Sequence, residues 1–348
     1  MKKLRIACFF GGCSPEYEVS LMSATAILNN LNQEKYEILM VGITREGDFY
    51  LYNGDIDKIE NDTWFNLKNC KKVTISTNRS DHGLIVFEDK LKIIPIDLAF
   101  PILHGKNGED GTIQGLLELA KIPYVGCDLS SSLLCMDKYL AHLIVSSKGI
   151  LTPITYLFSK TTPYENILHT IKDLNYPLFV KPLKAGSSFG ITKVKKEEDL
   201  KRAIAEAFFY DDKIVIEENI VGFEVGCAIF GNEDLTIGEV DEIYIETDLF
   251  DYLEKYNLKT SKIILPARIS EEERERIKQE ALKIYKILGC KNLARVDMFY
   301  TPNKEIIFNE VNTMPGFTAH SRYPNMLKEV GYDFSTILDK LIALGLDS

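Results

Sequence analysis

The sequence has no apolar run long enough to cross a bilayer. About 18–20 residues are needed, and the nearest stretch, Ile93 to Leu103, is broken by Pro95, Asp97 and Pro101. The N-terminal run is too short for a signal peptide and lacks a small-residue cleavage site; it reads as a first strand. There is no C-x-x-C pair. The seven cysteines are odd in number and scattered, which argues against a zinc ribbon or a redox pair. Free thiols fit a reducing cytoplasm, with Cys8 and Cys227 as small core residues. Positive charge is in deficit: 41 Lys and Arg against 51 Asp and Glu leave a net −10. That argues against nucleic acid or a membrane surface as the main partner, though not against a phosphate held by a local cluster of donors. No Walker loop occurs, and there is no internal repeat or low-complexity segment.

What is present is a two- to three-domain length of 348 residues. Residues 4–10 form a continuous apolar run, the pattern of a buried parallel strand. Gly11-Gly12 ends it, a helical spacing follows from Val19, and Tyr36 to Ile43 reads as a second strand. This order predicts a doubly wound α/β domain, whose ligands gather at the carboxyl ends of strands. A later strand over Ile96 to Leu103 leads into a second glycine-rich loop, His104 to Gly111, at the same crevice. The predicted boundaries are 1–127 for this domain, 128–217 for a central one and 218–348 for a C-terminal one. In the last, Ser270-Glu-Glu-Glu273 is a capping box opening a helix to Leu288. Residues 246–262 have no clear period and read as a lid.

Two clusters carry chemistry. The loop Lys181-Pro-Leu-Lys-Ala-Gly-Ser-Ser-Phe-Gly190 joins two strands and brings backbone N–H groups, hydroxyls and lysines to one small space, as a polyphosphate requires. Further on, Arg295 and Asp297 share one face of a strand, and Glu310 and Asn312 share one face of another. Three oxygen ligands from adjacent strands suit Mg²⁺, a hard cation usually shared with substrate phosphates.

These motifs, with Asn309-Glu-x-Asn312-x-x-Pro-Gly316, resemble the ATP-grasp fold. With Gly11-Gly12, His104-Gly, Met136-Asp-Lys138 and His320-Ser321 in order, the whole chain resembles the D-alanine–D-alanine-type ligases. The resemblance implies a three-domain ATP-grasp architecture. It also implies an ATP-dependent ligation through a D-alanyl phosphate, which serves cell-wall synthesis, in a cytoplasmic homodimer. Residue by residue, it assigns Lys138, Lys181 and Ser188 to ATP, with Lys255 reaching the phosphates. Glu217, Glu218, Asn219 and Ile220 would border adenine and Glu224 the ribose. Asp297, Glu310 and Asn312 would hold two Mg²⁺ ions, with Mn²⁺ as a substitute. Arg295 and the Gly316 N–H would stabilise the tetrahedral oxyanion. Glu16 would meet the ammonium of the first D-alanine, with Ser187 and Tyr256 as its hydrogen-bond partners and His104 nearby. His82, His142 and His169 read as non-catalytic.

Two departures from the housekeeping pattern bear on the second substrate. The segment Glu254-Lys-Tyr-x-Leu-x-x-Ser-x-Ile263 is more like ligases that join D-alanine to D-serine. After Ser321, where housekeeping enzymes carry an apolar residue, stands Arg322, whose donors could orient a serine hydroxyl. Both features resemble vancomycin-resistance ligases of the VanG type. A buried guanidinium needs a counter-charge; Asp241 and Glu242 are the candidates, with Asp241 preferred. The alternative is D-alanine as second substrate.

Overall fold

A computed structural model describes residues 3–187, 189–245 and 261–347. Ser188, Lys255 and Tyr256 lie outside the described residues. Three sheets follow one another along the chain. The first contains β1 (Leu4–Gly11), β2 (Tyr36–Ile43), β3 (Phe49–Tyr52), β4 (Cys70–Ile75), β5 (Gly83–Val86), β6 (Lys92–Pro95) and β7 (Leu98–Pro101). Its order is β6-β5-β4-β3-β2-β1-β7. Only β2, β1 and β7 are parallel; β3 to β6 are added as antiparallel strands. β1 lies between two parallel neighbours and is buried from Ile6 onward, which is why it reads as an unbroken apolar run.

Helix α1 (Tyr17–Asn30) follows β1, and a short α2 (Asp57–Glu60) lies further on. Tyr17, Leu21, Ala24, Ile27 and Leu28 are buried on α1, a spacing of three and four residues that defines one helical face. Next come α3 (Thr112–Ala120), α4 (Leu129–Met136) and α5 (Lys138–Ser146). Asp137 caps α5 through a bond from the Leu140 N–H.

The second sheet, in the order β10-β9-β11-β8, contains β8 (Thr155–Ser159), β9 (Leu178–Pro182), β10 (Thr192–Val194) and β11 (Lys213–Glu218), with α6 (Tyr164–Thr170) and α7 (Glu197–Tyr210) beside it. β9 and β10 pair antiparallel across the glycine- and serine-rich loop.

The third sheet has the order β14-β13-β12-β15-β16. Its strands are β12 (Phe223–Phe230), β13 (Thr236–Ile245), β14 (Ser261–Ile264), β15 (Leu293–Tyr300) and β16 (Ile306–Asn312). Of the segment expected as a lid over 246–262, residues 246–260 lie outside the described residues; Ser261 and Lys262 belong to β14 and pair with Ile245 and Tyr244. Helix α8 (Glu271–Ile287) packs on the sheet and opens with the expected capping box of Ser270 and Glu273. Helices α9 (Arg322–Glu329) and α10 (Phe334–Leu346) complete the chain.

One core binds the two ends of the chain together. Phe10, Leu21, Ile27 and Phe100 of the first sheet and α1 cluster with Phe317, Tyr323, Met326 and Ile337. Each such buried side chain contributes about 1.5–3 kcal/mol. This packing holds the loop between β16 and α9, which bears Gly316, against α1, which Glu16 precedes.

Candidate active site

The register of the third sheet places four residues in one row across it. Asp241 on β13 pairs with Gly226 on β12, Gly226 with Asp297 on β15, and Asp297 with Glu310 on β16. Two pairing positions away, and so on the same face, Arg295 is opposite Asn312. The pairing skips Asn309, a bulge next to Glu310 of the kind that re-aims a side chain near a site.

Asp297 is buried and heavily engaged. Arg295 donates from Nε at 2.8 Å and from Nη2 at 2.6 Å, and Asn312 Nδ2 donates at 2.8 Å. That leaves the Asn312 Oδ1 as its free-facing acceptor. Lys138 Nζ is 3.9 Å from Glu310 Oε2 and donates to the Ala185 carbonyl at 2.8 Å. Among the described residues, no cluster of three or more His, Cys, Asp or Glu is arranged as a metal cage. Two carboxylates and an amide oxygen instead fit Mg²⁺, which keeps part of its shell for phosphates and water. Two carboxylates placed directly opposite each other also repel unless cations lie near.

A cavity of about 810 Å³ is lined by Lys181, Ser187, Glu217, Glu218, Asn219, Ile220, Glu224 and Glu310. All the described residues expected around ATP are here except Lys138. Lys181 Nζ meets Glu217 Oε2 at 2.6 Å. Burial alone would raise the Glu217 pKa, but Lys181, through its charge and hydrogen bond, together with His142 and Lys138 outweighs it and holds the carboxyl below its usual range. Its other oxygen has no hydrogen-bond partner among the described residues.

A second cavity, of about 490 Å³, is lined by Glu16, His104, Arg295, Asn312, Gly316, Ser321 and Arg322, while Asp241, also expected at the substrate pocket, does not line it. Ser187 lines both cavities. Its hydroxyl donates to Glu16 Oε1, and its backbone holds φ +49°, a conformation uncommon outside glycine. A Cβ on Gly186 would come within 2.6 Å of the Glu16 carboxylate, so a larger residue there would push that carboxylate aside.

His104 is committed on both sides. Its Nδ1 donates to the Met314 carbonyl at 2.9 Å, and its Nε2 faces Ser23 Oγ at 3.1 Å. The Phe317 N–H donates to the same hydroxyl. Burial pushes the imidazole pKa down to about 4, against the Met314 bond, so the ring is neutral. His104 and Ser23 therefore clamp both sides of the segment bearing Gly316. Glu109, which the sequence reading did not single out, clamps it too: its carboxylate accepts from the Met314 and Gly105 N–H groups. Burial, then the neighbouring Glu16, raises its pKa to about 8. The signal for it lay in the loop 104–111, where no spacing rule separates Glu109 from Asp110.

Arg322 has the expected partner and two more. Nε and Nη2 donate to the two oxygens of Asp241, each at 2.7 Å, and Nη1 donates to Glu224 at 2.6 Å. Nη1 is also 3.4 Å from Asp297. Burial opposes the charge, but Asp241 and Asp297 outweigh it and raise the pKa well above the usual arginine value. Glu242, the other candidate, pairs with Arg268. Ser321 Oγ accepts from the Thr318 N–H at 2.9 Å, just ahead of α9.

The chain is similar to known proteins over nearly its whole length. Residues 5–127 match the family model described as D-ala D-ala ligase N-terminus, and residues 147–343 match D-ala D-ala ligase C-terminus. The chain is 46% identical to the vancomycin C-type resistance protein VanC1 of Enterococcus gallinarum, over 99% of this chain and 98% of that protein. It is 43% identical to a D-alanine–D-alanine ligase of Caldicellulosiruptor bescii, over 100% and 96%. The crystal structure of the VanG D-Ala:D-Ser ligase from Enterococcus faecalis superposes with a TM-score of 0.91 at 54% identity, covering 99% of this chain and all of that one.

Proposed function

We propose that this chain, which belongs to the D-alanine–D-alanine ligase family of three-domain ATP-grasp enzymes, joins D-alanine to D-serine with ATP. The dipeptide would enter cell-wall precursors with reduced glycopeptide affinity, a vancomycin-resistance function.

In this reading the γ-phosphoryl of ATP passes to the carboxylate of D-alanine. The amine of the second amino acid then attacks the acyl carbon, and phosphate leaves. Lys138 and Lys181 hold phosphates, while Glu217 to Ile220 border the base and Glu224 the ribose. Glu16, shaped by Ser187, receives the first ammonium. Arg295 and the Gly316 N–H stabilise the oxyanion, in a loop held by His104. When bound, Mg²⁺ at Asp297, Glu310 and Asn312 would neutralise phosphate charge. The reading includes two ions at this oxygen set, with Mn²⁺ able to replace them. It also places the enzyme in the cytoplasm as a homodimer. The free state of all seven cysteines supports that compartment.

The observation that carries the choice of D-serine is Arg322. It is buried at the edge of the second cavity with its charge compensated by Asp241. Donors placed in a pocket discriminate against a substrate that leaves them unpaired. D-alanine as second substrate is the alternative, favoured by how many of those donors are already given to Asp241 and Glu224. Product mass spectrometry with ATP, Mg²⁺ and equal D-alanine and D-serine decides between them. A mixed dipeptide in excess is expected; D-alanyl-D-alanine in excess rejects the D-serine assignment.

A further inference from the structure

The two cavities share a wall built around one ion pair. Glu224 lines the larger cavity and Arg322 the smaller, and neither lines both. Arg322 Nη1 donates to Glu224 Oε1 at 2.6 Å. The rest of the guanidinium is fixed from behind by Asp241, which is fully buried. It has no room to slide toward the sheet, because its Nη2 occupies the space that a side chain at position 226 would fill: a Cβ there would come within 2.2 Å. Guanidinium is planar and rigid. With Nε and Nη2 given to Asp241, the pull of Glu224 on Nη1 helps set the angle at which the Arg322 side chain lines the second cavity. The Glu224 side chain is the more exposed of the two, 19% against 7%, so what occupies the larger cavity reaches it directly.

We infer that Glu224 is a positioning residue for second-substrate selectivity, acting across the cavity wall through Arg322. The state of the nucleotide cavity thereby biases which amino acid the other cavity accepts. The inference rests on the reading of Arg322 as the residue that selects D-serine. Coupling of this kind is reciprocal for binding: an amino acid that draws on the guanidinium changes the hold of Glu224 on the nucleotide.

The test is a double-mutant cycle read as the ratio of D-serine to D-alanine efficiency. Glu224→Gln keeps the shape and removes the charge. It is expected to lower the ratio about 5- to 30-fold, and Glu224→Asp, which keeps the charge, is expected to recover part of it. In an Arg322→Leu background the Glu224→Gln change should leave the ratio where Arg322→Leu alone puts it. A rise in KM for ATP is expected too, but a residue serving the nucleotide alone would show that; the ratio is the readout it would not move. A wild-type ratio in Glu224→Gln, with Arg322→Leu shifted, overturns the inference and leaves the D-serine reading standing. An equal Glu224→Gln shift in both backgrounds also overturns it, since the effect would bypass Arg322. A wild-type ratio in Arg322→Leu removes the D-serine reading and the inference with it.

Discussion

Asp297 and Glu310 face each other as directly paired residues across β15 and β16. Two carboxylates in that relation cost energy unless positive charge compensates them. Arg295 and Lys138 supply part of that charge from within the chain, and a cation between carboxylates and phosphates would supply the rest.

Glu310→Gln and Asp297→Asn should each lower kcat by about 10²-fold or more. That corresponds to a few kcal/mol of lost charge stabilisation in the transition state. Raising Mg²⁺ should recover little, because a neutral amide replaces an anionic ligand. Steady-state turnover over a Mg²⁺ titration checks this; near-normal activity at saturating Mg²⁺ contradicts the metal assignment.

Lys181→Ala leaves the Glu217 carboxylate buried without its cation. Removing one partner of a buried pair costs about 3–5 kcal/mol, and Glu217 is 1% exposed. The variant should therefore lose stability as well as nucleotide affinity. Lys181→Ala combined with Glu217→Leu should regain most of the stability and none of the affinity. Urea unfolding and nucleotide titration separate the two effects.

His104 gives a pH signature. Its folded pKa is about 4, pushed down from 6.5 by burial. Between those values the unfolded chain takes up a proton that the native chain refuses. Stability therefore falls as pH drops from 6.5 toward 4, by roughly 3 kcal/mol from this residue. In His104→Gln that component should vanish, while kcat falls because the segment around Gly316 loses a clamp. Urea midpoints of both proteins at pH 7 and pH 4.5 test the sign: an equal acid loss in both means His104 is not the titrating group.

Much of the frame is legible in residue order. The apolar run of β1, the capping box at Ser270 and the period-two pairs Arg295/Asp297 and Glu310/Asn312 each report local geometry, and each is found in the fold. The long-range facts are the ones that stay hidden. That Asp297 stands opposite Glu310, with Asn309 bulged between pairs, depends on register, which no single strand encodes. Glu224 carries nothing in its neighbourhood to announce a bond to a residue 98 positions away. Ser23 reads as one more helix residue until the fold sets it beside His104 and Phe317. The strands β3 to β6 are short, and each pairs antiparallel with the strand before it in the chain, so none needs a crossover connection.

Gly226 offers the sharpest test of the arginine seat. It lies between Asp241 and Asp297 in the cross-sheet row, and its N–H donates to Asp241 Oδ1 at 3.0 Å. A Cβ there would meet Arg322 Nη2 at 2.2 Å and both aspartates at 2.9 Å. The strand backbone is held on both sides by pairing, so the guanidinium is the group that must move. Gly226→Ala should therefore displace Arg322 without removing it. The D-serine to D-alanine ratio should fall in the direction of Arg322→Leu, by about 10-fold for a loss near 1.4 kcal/mol. Stability should fall as well, since a shifted Arg322 leaves Asp241 partly unpaired in the interior. Gly226→Ala that folds and keeps the wild-type ratio would show that the arginine selects nothing from this seat, whereas a shared shift in the two variants ties selectivity to the position of the guanidinium rather than to the mere presence of a positive charge.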